Sequence, residues 1–71
     1  MQWDYSKLRG KIVEVFRTVR SFSKALGQSE TATYNYLNGR TSFDQKSIEK
    51  WCRLLDIPLE DAMPYFFTRK V

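Results

Sequence analysis

The stretch Phe22-Ser-Lys-Ala-Leu-Gly-Gln-Ser-Glu-Thr-Ala-Thr-Tyr-Asn-Tyr-Leu-Asn-Gly-Arg40 decides how the rest of the chain is read. Phe22, Ala25 and Leu26 recur at helical spacing, Gly27 is placed to end that helix in a left-handed conformation, and Ser29 is placed to cap the next one. The second helix is predicted from about Glu30 to Leu37, where Asn38-Gly39 supplies residues that accept positive φ and stop it. Two helices joined by a turn containing glycine make a helix-turn-helix.

Upstream, Asp4 or Ser6 can cap a first helix on which Leu8, Ile12, Val15 and Phe16 follow the i, i+4, i+7, i+8 pattern of an amphipathic element. It should end near Arg17-Thr18, with Trp3 and Tyr5 folding the N-terminus onto the core. Thr18 can cap the second helix, whose buried side is Val19, Phe22, Ala25 and Leu26, leaving Arg20 and Lys24 pointing outward one turn apart. On the third helix Thr33 and Leu37 face the core with Tyr36 beside them. Its outward positions, Glu30, Thr31, Tyr34 and Asn35, are short, polar and varied. Thr, Tyr and Asn are poor helix formers, so their gathering on one exposed face asks for a reason other than helix stability, and reading base edges is one such reason.

Downstream, Phe43 is the plug that ties down the polar loop Asn38–Ser42, and Asp44 caps a fourth helix. Ile48, Trp51, Cys52 and Leu55 give the clearest periodic signal in the chain. Cys52 lies on that apolar stripe and reads as a buried small hydrophobe, since no base is at hand to activate it. Ile57-Pro58 ends the helix, and Pro58 can open a fifth whose face is Leu59, Ala62, Met63 and Phe66. Pro64 should stop that helix near Met63 and leave a bent segment. Tyr65, Phe66 and Phe67 then cover the core, form a dimer contact, or do both, because an exposed aromatic cluster on a small protein marks an interface.

Composition narrows the functional classes. At 71 residues, 42% hydrophobic, 15% aromatic and 28% charged, the chain has the make-up of one small folded domain, residues 1–71. It has no histidine and one cysteine, which removes the commonest general base and metal ligand and excludes a cysteine zinc cluster. With no Gly-rich phosphate loop or paired carboxylates either, the chain is read as not an enzyme, with no metal, no cofactor and no small-molecule ligand. No apolar run approaches the roughly 18 residues of a membrane span, and the N-terminus lacks signal-peptide order, so a cytoplasmic protein with no membrane partner is expected. The net charge is +4, and all of it falls in residues 1–40, where seven basic side chains face three acidic ones. That imbalance suits a polyanionic partner.

A family resemblance then enters. Phe22-x-x-Ala25-Leu26-Gly27-x-Ser29-x-x-Ala32-Thr33-x-x-x-Leu37-Asn38-Gly39-Arg40 resembles the phage repressor and Cro-like (XRE-type) helix-turn-helix proteins. Leu54-Leu55-Asp56-Ile57-Pro58 resembles the end of that family's fourth helix. Asp4-Tyr5-x-Lys7-Leu8-Arg9-Gly10-Lys11-Ile12 together with Tyr65-Phe66-Phe67-Thr68 looks like a small phage and prophage subgroup from Gram-positive bacteria. The resemblance implies an all-α, five-helix, lambda-repressor-like fold with the helix-turn-helix at helices 2 and 3. It also implies base contacts from Gln28, Glu30, Thr31, Tyr34 and Asn35, and phosphate contacts from Arg20, Lys24, Ser29, Asn38 and Arg40. Thr33 departs from the aliphatic residue usual there, which should weaken the seat of the third helix.

Two functions are compatible with these residues. One is a sequence-specific regulator, a Cro-like repressor that occupies double-stranded operator DNA as a homodimer. The other is a helical protein-interaction module, an antirepressor or adaptor, using the aromatic C-terminal segment.

Overall fold

Thr18, Ser29 and Asp44 each cap a helix, and the three hydroxyl or carboxylate acceptors set the frame of the molecule. In the computed structural model, which describes residues 3–69, Thr18 Oγ1 accepts from the Ser21 amide, Ser29 Oγ from Ala32 and an Asp44 carboxylate oxygen from Ser47, at 2.8–3.1 Å. The helices that follow are α2 (Val19–Leu26), α3 (Glu30–Leu37) and α4 (Gln45–Leu55). Before them comes α1 (Ser6–Phe16), at whose start the Asp4 carboxylate accepts from the Ser6 amide and hydroxyl. After them come a 3-10 turn (Leu59–Asp61) and a single helical turn, α5 (Met63–Phe66). The fold is all-helical with five helices, as expected, and the described residues form no strand. The two ends of the described chain meet in one antiparallel bridge between Trp3 and Arg69, beside an Asp4 amide that donates to the Thr68 carbonyl at 2.6 Å.

The core is built around Trp51. Its ring meets Phe22 and Phe43 edge-on, each at a centroid distance of 4.8 Å, and Tyr36 and Phe66 at 5.6 and 6.5 Å. Leu8, Ile12, Leu26, Leu37, Leu55 and Ile57 close the space around it. Phe43 plugs the loop as expected, touching Tyr5, Tyr36, Trp51 and Phe66 from a position that no helix occupies. Interlocked aromatic rings of this kind supply the large buried area that a chain this short needs.

Four expectations are corrected. Val15 is exposed, because the covered stripe of α1 runs Leu8, Ile12, Phe16 and advances around the helix with every four-residue step, leaving Val15 at its edge. On α2 the buried neighbour of Phe22 is Ser23 and not Ala25, which is exposed. Pro64 starts α5 and does not end a longer helix: in the first turn its missing N–H costs nothing, whereas an interior proline would break the ladder. With the chain redirected by the 3-10 turn, Leu59 and Met63 point outward and only Ala62 and Phe66 are buried.

Two left-handed residues redirect the chain without glycine. Arg17 (φ 73) separates α1 from α2, and Asp56 (φ 57) ends α4, its amide reaching back to the Cys52 and Arg53 carbonyls. Gly27 (φ 77) does the same between α2 and α3, at the position the sequence marks for it.

Candidate functional site

The seam between α2 and α3 carries a polar lock. Ser23 Oγ donates to the Val19 carbonyl at 2.8 Å and lies 2.7 Å from Thr33 Oγ1, and both residues are buried. The Gln28 side-chain amide donates to Thr33 Oγ1 at 3.1 Å. Thr33 therefore does not loosen α3. Its hydroxyl accepts from the Gln28 amide, and its own proton faces two acceptors, Ser23 Oγ and the Ser29 carbonyl. Ser23 lies off the apolar stripe expected of α2, so no local pattern announces this lock.

That lock uses up one residue expected to read bases. Gln28 is half-buried with its amide turned inward. Asn35 is half-buried too, and its carbonyl accepts the Arg40 and Thr41 amides at 2.8 and 3.1 Å, which folds the loop against the end of α3. Glu30, Thr31 and Tyr34 are exposed. Of the residues expected at phosphates, Ser29 Oγ is held by the Ala32 amide and Asn38 Oδ1 by Arg9, whereas Arg20, Lys24 and Arg40 are exposed.

Arg9 is a residue the sequence reading passed over. Its Nη2 donates to the Leu37 carbonyl at 3.2 Å and to Asn38 Oδ1 at 2.9 Å, so a cation from α1 closes the C-terminus of α3. Lys50 does the same for α2, donating from Nζ to the Leu26 carbonyl at 2.8 Å. In both, the positive head satisfies an orphan carbonyl at the negative end of a helix.

Arg9 also lines a groove of about 510 Å³ formed by the N-terminal segment, the end of α3, the loop before α4 and the C-terminal tail. Phe43 and Phe66 lie on its inner side, and Trp3 and Phe67 stand on its rim with ring centroids 5.7 Å apart, edge to face. The three tail aromatics thus divide. Phe66 is core, at 1% exposure. Tyr65 is half-buried under Lys7, whose Nζ lies 5.1 Å from the ring centre. Phe67 is exposed and paired with Trp3.

The remaining chemistry is quiet. Cys52 is buried and its thiol pKa is raised by burial, as an inert core cysteine requires. The described residues hold no cluster of metal-ligating side chains, and none of their helices is long and apolar enough to cross a membrane.

Comparison with known proteins turns on one match. A family model described as a protein of unknown function (DUF739) covers residues 1–69. This chain belongs to the DUF739 family. No curated protein matches it. Among solved structures, the solution structure of the modulator of repression (MOR) of the temperate bacteriophage TP901-1 from Lactococcus lactis is similar to this DUF739 chain along its whole length. The TM-score is 0.85 and the identity 37%, over 100% of this chain and 96% of that one.

This match corrects the family resemblance: the neighbour is a small all-helical modulator of repression, not a Cro-like repressor. The physical reason lies in what the quoted motif encodes. Leu26 and Leu37 are core, Gly27 is a left-handed cap and Ser29 an N-cap. Such residues specify a tight helix pair, and any chain that needs the pair will carry them whatever its outer face does.

Proposed function

We propose that this DUF739 chain modulates repression in a phage regulatory circuit by docking on a partner protein through the groove rimmed by Trp3 and Phe67. The observation that carries the reading is the likeness, end to end, to a phage modulator of repression at 37% identity. The aromatic rim supports it. Two large rings packed edge to face and left exposed beside a groove are the kind of anchor that dominates protein interfaces. Arg9 adds a cation within the groove, already fixed by its bonds to α3 and so presented at little entropic cost.

Operator occupancy as a sequence-specific regulator has less support. Gln28 is committed to Thr33, Asn35 is half-buried, and a base-reading helix needs such side chains free to reach the groove floor. The alternative weighed from sequence, a protein-interaction module using the aromatic C-terminal segment, fits better, with Trp3 joined to Phe67 and without Phe66.

The test is a reporter assay in which a promoter held by the repressor of the same phage genome is read with and without this chain. The reading expects repression to change in either direction on co-expression, and to return to the repressor-only level when Trp3→Ala and Phe67→Ala are combined. An unchanged reporter, or one that the double variant changes as strongly as the wild type, contradicts it.

A further inference from the structure

Two charged side chains line the groove, Asp4 and Arg9, and they are differently placed to meet an incoming group. Asp4 turns Oδ1 back to the Ser6 amide and hydroxyl, at 2.8 and 2.6 Å, where it starts α1. Arg9 keeps its charge uncompensated. Both of its bonds leave from Nη2 and go to neutral oxygens, the Leu37 carbonyl and Asn38 Oδ1, while Nε and Nη1 make no bond to a described residue. The one ion pair among the described residues is Lys11 with Glu14, so no carboxylate among them neutralises Arg9. Around it the lining is uncharged and mixes hydroxyls, Thr41 and Ser42 among them, with the rings of Trp3, Phe43 and Phe67.

We propose that the groove takes a short non-helical segment of the partner protein, in which an acidic side chain lies within a residue or two of an aromatic or large aliphatic one. The inference rests on the reading that the groove is the docking site, and it names what docks there. Charge complementarity selects the acid. A carboxylate entering the groove gains a charge-assisted bond from Nε or Nη1 of a guanidinium already held in place, whereas a lysine or arginine meets a like charge there. The rim selects the acid's neighbour. Trp3 and Phe67, 38% and 39% exposed and crossed edge to face, offer rigid apolar area to an apolar side chain. Volume selects the shape: three turns of helix, about 10–12 Å across, fill roughly 1,000 Å³ or more, against about 510 Å³ in the groove. A loop or extended stretch therefore enters where a long helix does not. Because Arg9 and the rim share one groove of that size, the two features stand close together in the partner's sequence.

The experiment screens the full chain against an array of random hexapeptides, acetylated and amidated so that side chains supply every carboxylate, and then titrates the strongest binder into the isotopically labelled chain. Enriched peptides should place Asp or Glu within two residues of Trp, Phe, Tyr or Leu, and should shift the Trp3 indole and the Arg9 side chain. Replacing the acid in that peptide by its amide leaves the chain untouched and should weaken binding roughly ten- to a hundredfold, the contribution of one charge-assisted hydrogen bond. Arg9→Gln should make the acid and amide peptides bind alike, and Arg9→Lys, which keeps the charge, should restore most of the preference. Since Arg9 also closes the end of α3, circular dichroism checks the fold of both variants, and the peptide substitution decides the matter if either fails to fold. No enrichment, enrichment of lysine or arginine, or acid and amide peptides that bind the wild type equally would each overturn the proposal. Peptides that shift the groove residues without preferring an acid sink this inference and leave the docking reading standing. A repressor from the same phage genome that shifts no groove residue sinks the docking reading itself.

Discussion

The Ser23 and Thr33 hydroxyls lie 2.7 Å apart in the buried seam between α2 and α3, with the Gln28 amide on the same threonine oxygen. A polar pair at this depth is costly to break from one side and cheap to remove from both. Thr33→Val, which keeps the volume, should therefore destabilise the chain by about 1–3 kcal/mol, whereas Ser23→Ala combined with Thr33→Val should recover part of that loss. Urea denaturation of the single and double variants checks this. Strictly additive losses would mean that the two hydroxyls do not act as a pair.

Phe43 touches four other rings although it belongs to no helix. Phe43→Ala should cost about 3–5 kcal/mol, most of the stability of so small a domain. Phe43→Leu should cost markedly less, since it keeps the apolar volume and loses only the edge-to-face contacts. Thermal unfolding of the two variants orders them, and equal midpoints would contradict the plug.

Asp44 carries a pH dependence of known sign. The Ser47 side chain and amide, bonded to its carboxylate, hold its pKa below the ordinary 3.8. A group whose pKa is depressed by folding contributes stability that is fully present above its unfolded value and is lost as pH falls through the folded one. Acidification from about pH 5 downward should therefore weaken the wild type more than Asp44→Asn, which keeps the cap without the titration. Parallel acid-unfolding curves for the two proteins would show that the carboxylate is not held as described.

Cys52 should resist modification. It is 2% exposed and its thiol is pushed up by burial, so reagents that attack the thiolate reach it only when the chain opens. Its reaction with an aromatic disulfide should be slow in buffer and fast in denaturant, and prompt reaction in buffer would mean that α4 is not seated on the core.

Much of the fold was legible because local signals agreed with one another. Thr18, Ser29, Gly27 and Asp44 are punctuation that acts within a few residues, and each stands where the chain needs it. The misreadings came from relations that no local window contains. Whether Val15 or Ser23 is buried depends on which side of its helix a distant element covers. Pro64 breaks a helix or starts one according to where the 3-10 turn leaves the chain. The candidate site was less legible for the same reason. Trp3 and Phe67 are 64 residues apart in sequence and become a rim only when the termini bridge. The helix pair drew attention to its outer face, yet its defining residues encode the turn and the core, so they could not say whether that face reads DNA.

The measurement closest to the central claim is a titration of the isotopically labelled chain with the repressor of the same phage genome, followed by amide and indole NMR shifts. Docking in the groove predicts shifts at the Trp3 indole, Arg9, Asn38 and Phe67, with Phe67→Ala weakening the partner by about 2 kcal/mol or more while losing only the stability of one aromatic pair, about 0.5–1.5 kcal/mol. Shifts confined to the outward faces of α2 and α3, or no shifts at all, would contradict it.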